Sequence, residues 1–482
     1  MAIAIIGGGL SGTLTAINLL RSAYGCETIY LIEQDRYRMN RGVAYSSQLP
    51  FQPLNVPASA MSLFPEQPLD FYEWLTAQQH RYKKHLNLPV TQNDFIPRFI
   101  FGDYLKSRLQ EAEMLAPKTV KLKWIFDEAM AVTKKDKAFH IQFKEHEPIV
   151  VHKAVLATGN FAPGNLPIPN QAFYKSSSYV ASPWSAKGLA NLQPDAPLLL
   201  IGSSLTMIDL VGSLYAEGHK GKIYVVSRHG LLPQPFDVHT KLYHGLKLPD
   251  PGTSLTVLEL FHTIRQEIVK AEEQGYSWRS VLDAMRVHLP AIWQAFPLSE
   301  KKRFLRHVRP FWETHRHRMP ASSATLITAL QEQGRLELIA GTIVDMVEKG
   351  GTASVTIKRR KQTIVQTIKV TRVINCTGPQ GDFTKVEQPL IQHMLTEGMI
   401  KPDDLRLGLV TAPDATLISA SGVPVEGFYT LGPPRKATLY ESTALREIRQ
   451  QAKELAHKLM QDNKRCKPVY FSPSPSDEAL QL

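Results

Sequence analysis

The run AIAIIGGGLSGTLTAINLLRSAY, residues 2–24, sets the tightest limit on what this chain can fold into. An apolar stretch stops at Gly7, glycines recur at Gly9 and Gly12, and an amphipathic pattern begins at once. That order predicts a buried parallel strand, a tight turn and a helix. The first glycine permits the turn, the second lets backbone approach a pyrophosphate, and the third lets helix pack on strand. Leu10 and Ser11 lie in the turn as cofactor-binding candidates, and the helix N-terminus that follows presents unpaired N–H groups to a bound anion. A second strand, TIYLIEQ, ends on Glu33, about 20 residues past the last glycine, where an acid accepts hydrogen bonds from a ribose.

The chain writes this unit again as APLLLIGSSLTMIDLVGSLYAEG followed by KIYVVSRHG. Here the glycine positions read Gly202, Ser204 and Met207, with Ser203 between the first two. Serine adds a hydroxyl able to reach phosphate, while methionine holds helix and strand farther apart than glycine would. The second strand ends on Ser227, Arg228 and His229 instead of an acid. An arginine at that place suits an adenosine 2′-phosphate, so this unit reads as a site for NADPH in preference to NADH.

Two further stretches share a design. VHKAVLATGNFAPG and VTRVINCTGPQGDF each run from an apolar strand into a small-residue turn, with Thr158 and Gly159 in one and Thr377 and Gly378 in the other. Such turns let backbone pass close to a cofactor. With GVAYSSQLPFQPLNVPASAMSLFPEQPLDFYEWL, DFIPRFIFGDYL, SRHGLLPQPF, RHVRPFWETHRHRMP and FYTLGPPRKATLYESTALREIR, they resemble a bacterial family of FAD/NAD(P)-binding proteins with two dinucleotide-binding domains. The resemblance covers about residues 1–455 and is more distant to flavin-containing and N-hydroxylating monooxygenases. It implies FAD at the N-terminal turn, held by Gly7, Gly9, Gly12 and Glu33, with Leu54, Asn55 and Val56 near the isoalloxazine and Gly432 at the pyrophosphate or ribityl chain.

The expected fold is α/β, with two Rossmann-like units and the NAD(P) unit inserted in the FAD unit. The boundaries read 1–170 for the first part of the FAD unit, 190–335 for the NAD(P)H unit, 336–460 for the returning FAD part and 461–482 for a flexible or surface-docked tail. Between about 238 and 320 the strand–helix alternation lapses into a helical insertion. Its last part gathers Arg303, Arg306, His307, Arg309, His315, Arg316, His317 and Arg318. That cluster reads as a solvated basic face or an anion site; no carboxylate or cysteine set completes a metal site there.

Lys and Arg exceed Asp and Glu by 56 to 44, yet the basic residues are spread through the chain with no nucleic-acid motif. Anionic cofactors or an anionic substrate account for that charge without a nucleic acid. No stretch reaches the roughly 20 apolar residues of a membrane span. Cys26, Cys376 and Cys466 are scattered and form no CxxC pair, which points to a reducing, cytoplasmic setting and excludes a dithiol redox centre.

With no nucleophile constellation in the chain, the flavin carries the chemistry. The expected activity is transfer of hydride from NADPH to FAD and onward passage of electrons, monooxygenase-like, with a small molecule such as an amine as substrate. An NAD(P)H:acceptor reductase and a non-enzymatic, redox-responsive flavin-binding protein are the alternatives.

Overall fold

The computed structural model describes residues 1–22, 28–47, 51–184, 190–250 and 255–461. The expected tail from residue 462 onward, and with it Cys466, lies outside the described residues, as does Cys26.

The chain opens with β1 (Ala2–Ile6), α1 (Leu10–Ser22) and β2 (Thr28–Ile32). β1 is buried at four of five positions, as a strand covered on both faces must be. It runs parallel to β2 in the register Ala2↔Thr28 to Ile6↔Ile32. Next come α2 (Gly42–Tyr45), α3 (Asp70–Gln78), α4 (Arg98–Leu115) and β3 (Lys121–Ile125). An antiparallel meander of β4 (Ala129–Lys135), β5 (Ala138–Phe143) and β6 (Ile149–Val151) then leads into β7 (Lys153–Leu156), which returns to the side of β1.

The second unit follows as β8 (Tyr179–Val180), β9 (Leu198–Ile201), α5 (Leu205–Ala216) and β10 (Ile223–Ser227). Six helices succeed it: α6 (Val257–Glu273), α7 (Trp278–Met285), α8 (Leu289–Ala295), α9 (Leu298–Arg303), α10 (Arg309–Arg316) and α11 (Ala321–Glu332). The first of them is started by a capping box, in which Thr256 Oγ1 accepts from the Glu259 N–H while Glu259 accepts from the Thr256 N–H. The helical insertion is therefore present, and it carries its own core around Trp293 and Trp312.

Then come β11 (Leu336–Lys349), β12 (Thr352–Arg359), β13 (Val365–Val370) and β14 (Arg372–Asn375). The chain closes with α12 (Pro389–Thr396), β15 (Thr416–Ile418), β16 (Pro424–Thr430), α13 (Lys436–Leu439) and α14 (Leu445–Gln461).

Two large sheets result, ordered β15-β16-β7-β1-β2-β3 and β13-β12-β11-β10-β9-β14-β8. Within them β7-β1-β2-β3 and β14-β9-β10-β11 are the same parallel arrangement, and an antiparallel meander precedes the return strand each time. The expected return to the first unit at residue 336 is corrected by this pairing. Leu336 of β11 lies parallel to Ile223 of β10, and all four strands from 336 to 375 belong to the second sheet. The chain rejoins the first sheet through β16, whose Phe428 pairs with Ala154 of β7.

Helices α1, α4 and α14 cover one face of the first sheet, burying Leu14, Ile17, Leu105, Leu109, Leu455 and Leu459 completely or nearly so. Each such side chain contributes about 1.5–3 kcal/mol. The β4–β6 meander and α12 cover the other face. Both glycine turns thus sit at the carboxyl ends of strands in the middle of rigid sheets, where α/β folds bind ligands.

Candidate functional site

At the first turn Gly7 has φ +113°, and a Cβ there would collide with the carbonyl oxygen of Ala157. A Cβ at Gly12 would strike the carbonyl of Gly7, so helix α1 can start where it does only without a side chain at that position. Gly9 faces Gly42 across the cleft wall, its ideal Cβ 3.3 Å from the Gly42 Cα. Glu33, at the end of β2, accepts from the Gly8 N–H at 3.1 Å and the Asp35 N–H at 3.3 Å. Burial raises its pKa, and those two hydrogen bonds work against the rise.

These residues open onto a cleft. Gly7, Gly9, Leu10, Ser11, Glu33, Thr158 and Gly159 all line it. The Thr158 hydroxyl is buried there with no hydrogen-bond partner among the described residues. A cradle that a Cβ would fill, an acid at the ribose position and an orphaned hydroxyl fit the adenosine diphosphate half of a dinucleotide.

Sequence reasoning missed Arg38, Arg41, Tyr45 and Thr443, which also line it. Arg41 is held by Asp103 and by the Phe99 carbonyl at 3.5 Å. Gly42, at φ +58°, was the available signal, because it lets the chain turn beside Gly9.

Leu54, Asn55 and Val56 are not among the residues lining this cleft. Leu54 is buried, its N–H bonded to the Ile96 carbonyl at 2.8 Å, and the Asn55 side chain is held by Arg98 at 3.0 Å. Gly432 does not line it either, but its neighbour Pro433 does. At φ +74°, Gly432 lies so close to α1 that a Cβ would stand 2.7 Å from Ser11 Oγ.

The second turn repeats the first in its backbone. Gly202 has φ +104°, and a Cβ there would lie 2.5 Å from the Cys376 carbonyl oxygen. Gly378 follows at φ +91°, as Gly159 follows at φ +68°. The two return turns also meet each other, since Phe161 and Gln380 form an isolated antiparallel bridge.

The side chains of this turn are committed differently from one another. Ser204 begins α5 with its side chain exposed and uncapping, free to face a phosphate. Ser203 instead spends its hydroxyl on Ser227 Oγ at 2.9 Å and the Leu231 carbonyl at 2.6 Å, leaving only its backbone for a ligand. Thr377 likewise donates its hydroxyl to Asn375 at 2.7 Å. Met207 is fully buried and fills the core beneath α5.

Arg228 and His229 form one side of a second, basic pocket. Its other side, which sequence reasoning missed, is the end of β12 and the turn after it, carrying Lys358, Arg360 and Lys361. Arg228, Lys358, Arg360 and Lys361 make no ion pair among the described residues, whereas Arg359 is paired with Glu337 at 3.2 Å. Burial lowers the pKa of His229, and the Arg360 and Arg228 charges lower it further. Unpaired cations gathered in one pocket repel one another unless an anion joins them.

The arginine-rich stretch divides: Arg303, Arg306 and His307 are exposed, while the side chains of Arg316 and Arg318 are largely buried in ion pairs. Arg303 pairs with Glu300, Arg309 and His317 with Glu313, Arg316 with Glu441, and Arg318 with Asp283. Glu300 and Glu313 were near enough in sequence to signal this, whereas Asp283 and Glu441 were not. Among the described residues no group of His, Cys, Asp and Glu is arranged to hold a metal, and no helix is long and apolar enough to cross a membrane. Cys376 is buried, and burial pushes its thiol far up.

Residues 4–161 match a family model described as FAD-NAD(P)-binding. No curated protein matches the sequence. Among solved structures the chain is similar to the reduced form of ornithine hydroxylase from Pseudomonas aeruginosa, at 15% identity and TM-score 0.64, covering 95% of this chain and 98% of that one. It is also similar to the FAD-bound cadaverine monooxygenase of desferrioxamine biosynthesis from Erwinia amylovora, at 12% identity and TM-score 0.63, covering 99% of both. A bacillithiol disulfide reductase from Staphylococcus aureus shares the fold at 12% identity and TM-score 0.53, over 96% of this chain and 99% of that one. Residues 4–161 thus resemble an FAD-NAD(P)-binding domain, in a chain whose fold is similar to that of the ornithine hydroxylase and the bacillithiol disulfide reductase.

Proposed function

We propose that the protein is an FAD-dependent oxidoreductase that takes hydride from NADPH and acts, as a monooxygenase does, on a small molecule. The observation that carries this reading is the duplication of one turn in two sheets, with Gly7 against Ala157 and Gly202 against Cys376. A protein with two such turns has places for two dinucleotides. The flavin supplies two-electron chemistry, accepting hydride and passing electrons onward. The chain's own work is to bind and orient: Gly7, Gly9, Gly12, Glu33 and Thr158 toward FAD, and Gly202, Ser204, Arg228 and the 358–361 turn toward NADPH.

NADPH is favoured over NADH because Arg228, at the end of β10 where an arginine suits a 2′-phosphate, lines a pocket of unpaired cations. A monooxygenase-like reaction on an amine is favoured over disulfide reduction on two grounds. The sequence has no CxxC pair and Cys376 is buried, and the ornithine and cadaverine enzymes have the higher TM-scores. A cytoplasmic location agrees with three scattered cysteines.

The test is oxygen uptake by the FAD-loaded protein with NADPH, with and without ornithine, lysine or cadaverine. Uptake stimulated by an amine, with hydroxylated amine as product, is the expected result. Uptake indifferent to amines but sustained by a quinone or dye would make it an NAD(P)H:acceptor reductase. No turnover with any acceptor, in a protein that holds FAD, would favour a non-enzymatic flavoprotein.

A further inference from the structure

Between the two units lies an ion pair that the cofactor sites do not use. Arg98, the first residue of α4, donates to Asp209 of α5 at 3.1 Å, and the two side chains are only 12% and 5% exposed. The same Arg98 nitrogen donates to Asn55 at 3.0 Å. The seam around it is close-fitting. The Arg98 N–H bonds to the Gln52 carbonyl at 3.0 Å, Gln52 reaches Ser213 of α5 at 3.4 Å, and Gly212 leaves room for the Phe51 carbonyl, 3.4 Å from where its Cβ would be.

Stability does not explain the pair. A cation at the start of α4 opposes the helix dipole, and desolvating two charges offsets most of their attraction. The Arg98 Nε is buried without a hydrogen-bond partner among the described residues. Burial raises the Asp209 pKa, and Arg98 works against that rise. What a buried pair supplies is a fixed register.

Its position gives that register a purpose. One turn along α4, Gly102 packs on the Tyr45 carbonyl, 2.8 Å from its would-be Cβ, and on the Arg41 side chain, so α4 braces the wall of the first cleft. One turn back along α5 stands Ser204, in the second turn. The path Tyr45–α4–Arg98–Asp209–α5–Ser204 joins the two nucleotide sites through rigid helices.

We propose that Arg98 and Asp209 are positioning residues, a latch that sets the spacing between the flavin site and the nicotinamide nucleotide site. The inference rests on the reading that the two sites hold FAD and NADPH. Hydride transfer requires reacting atoms about 3–3.5 Å apart, and a misplacement of about 1 Å can slow a reaction about 100-fold.

The experiment compares wild type, Arg98→Met, Asp209→Leu and the double variant, each loaded with FAD. The double variant replaces the pair by apolar groups and removes any uncompensated charge, so it should fold with a Tm close to wild type. Flavin reduction at saturating NADPH should slow at least about 10-fold in all three variants, with NADPH affinity changed by less than about 3-fold. Hydrogen exchange, which needs no hydride donor, should rise together at residues 51–55 and 205–213. A double variant that reduces at the wild-type rate would overturn the latch, because charge balance alone would then matter. Unchanged exchange on both sides of the seam in Arg98→Met would overturn it as well. A wild-type protein that holds FAD but is not reduced by NADPH would contradict the proposed function instead, and the exchange result would still decide the latch.

Discussion

Gly7 and Gly202 stand in the same place in two copies of one turn: each has positive φ, and each lies against the carbonyl of the residue that opens a small-residue return turn, Ala157 or Cys376. Neither position has room for a side chain. Gly7→Ala should therefore abolish FAD retention, read as loss of the visible flavin band in purified protein, with a stability loss of about 1–3 kcal/mol from forced backbone strain. Gly202→Ala should keep the flavin and lose its reduction by NADPH. If both variants lost FAD equally, the assignment of one nucleotide to each turn would be wrong.

The cations across the basic pocket act as a pair of jaws, with Arg228 on one side and Arg360 on the other. Losing one charged hydrogen bond to a phosphate costs about 1.5–3 kcal/mol. Arg360→Ala should thus weaken NADPH binding about 10- to 100-fold by equilibrium titration and leave NADH within about 2-fold. Arg228→Ala should do the same. Equal weakening of both nucleotides would show that the pocket does not face the 2′-phosphate.

Much of this was legible because it is local. A strand, a glycine turn and a helix lie within 20 residues of each other, so both nucleotide units and the residues Gly7, Gly9, Gly12, Glu33 and Gly202 could be read along the chain. The domain boundary at 336 failed because β11 pairs with β10 across the whole helical insertion, and no periodicity reports a partner 113 positions away, as in Ile223↔Leu336. Arg360 was invisible for the same reason: only the folded hairpin brings it beside Arg228. The arginine-rich stretch misled because a run of cations shows its own charge and hides that of its distant partners, Asp283 and Glu441.

Met207 occupies the third glycine position of the second turn and is wholly buried in that unit's core. Met207→Ala should cost about 2–5 kcal/mol by opening a cavity. It should not tighten NADPH, since α5 is already seated by Asp209 and Gly212. A lower Tm with unchanged nucleotide affinity is the expected result. Tighter binding would mean that the methionine holds the helix away from its ligand.

Glu313 is the hub of the helical insertion's ion pairs. Burial pushes its carboxyl up, but the His317 hydrogen bond at 3.1 Å and the charges of Lys436, His317 and Arg309 pull it well below the ordinary value of 4.5. A depressed folded-state pKa means stability that is fully present above 4.5 and is lost as pH falls through that value toward the depressed one. Glu313→Gln should lower stability by about 2 kcal/mol at neutral pH. Its Tm should approach that of wild type as pH falls below about 4. A gap in Tm that stayed constant down to about pH 3 would contradict the assigned charge.

The central claim is that two duplicated turns hold two different dinucleotides, one reducing the other. Anaerobic titration of the FAD-loaded protein with NADPH, followed at the visible flavin band, tests it most directly. The account predicts bleaching at close to one equivalent, slower with NADH at the same concentration. A flavin that stays oxidised under excess NADPH would contradict it and leave the second turn a structural repeat.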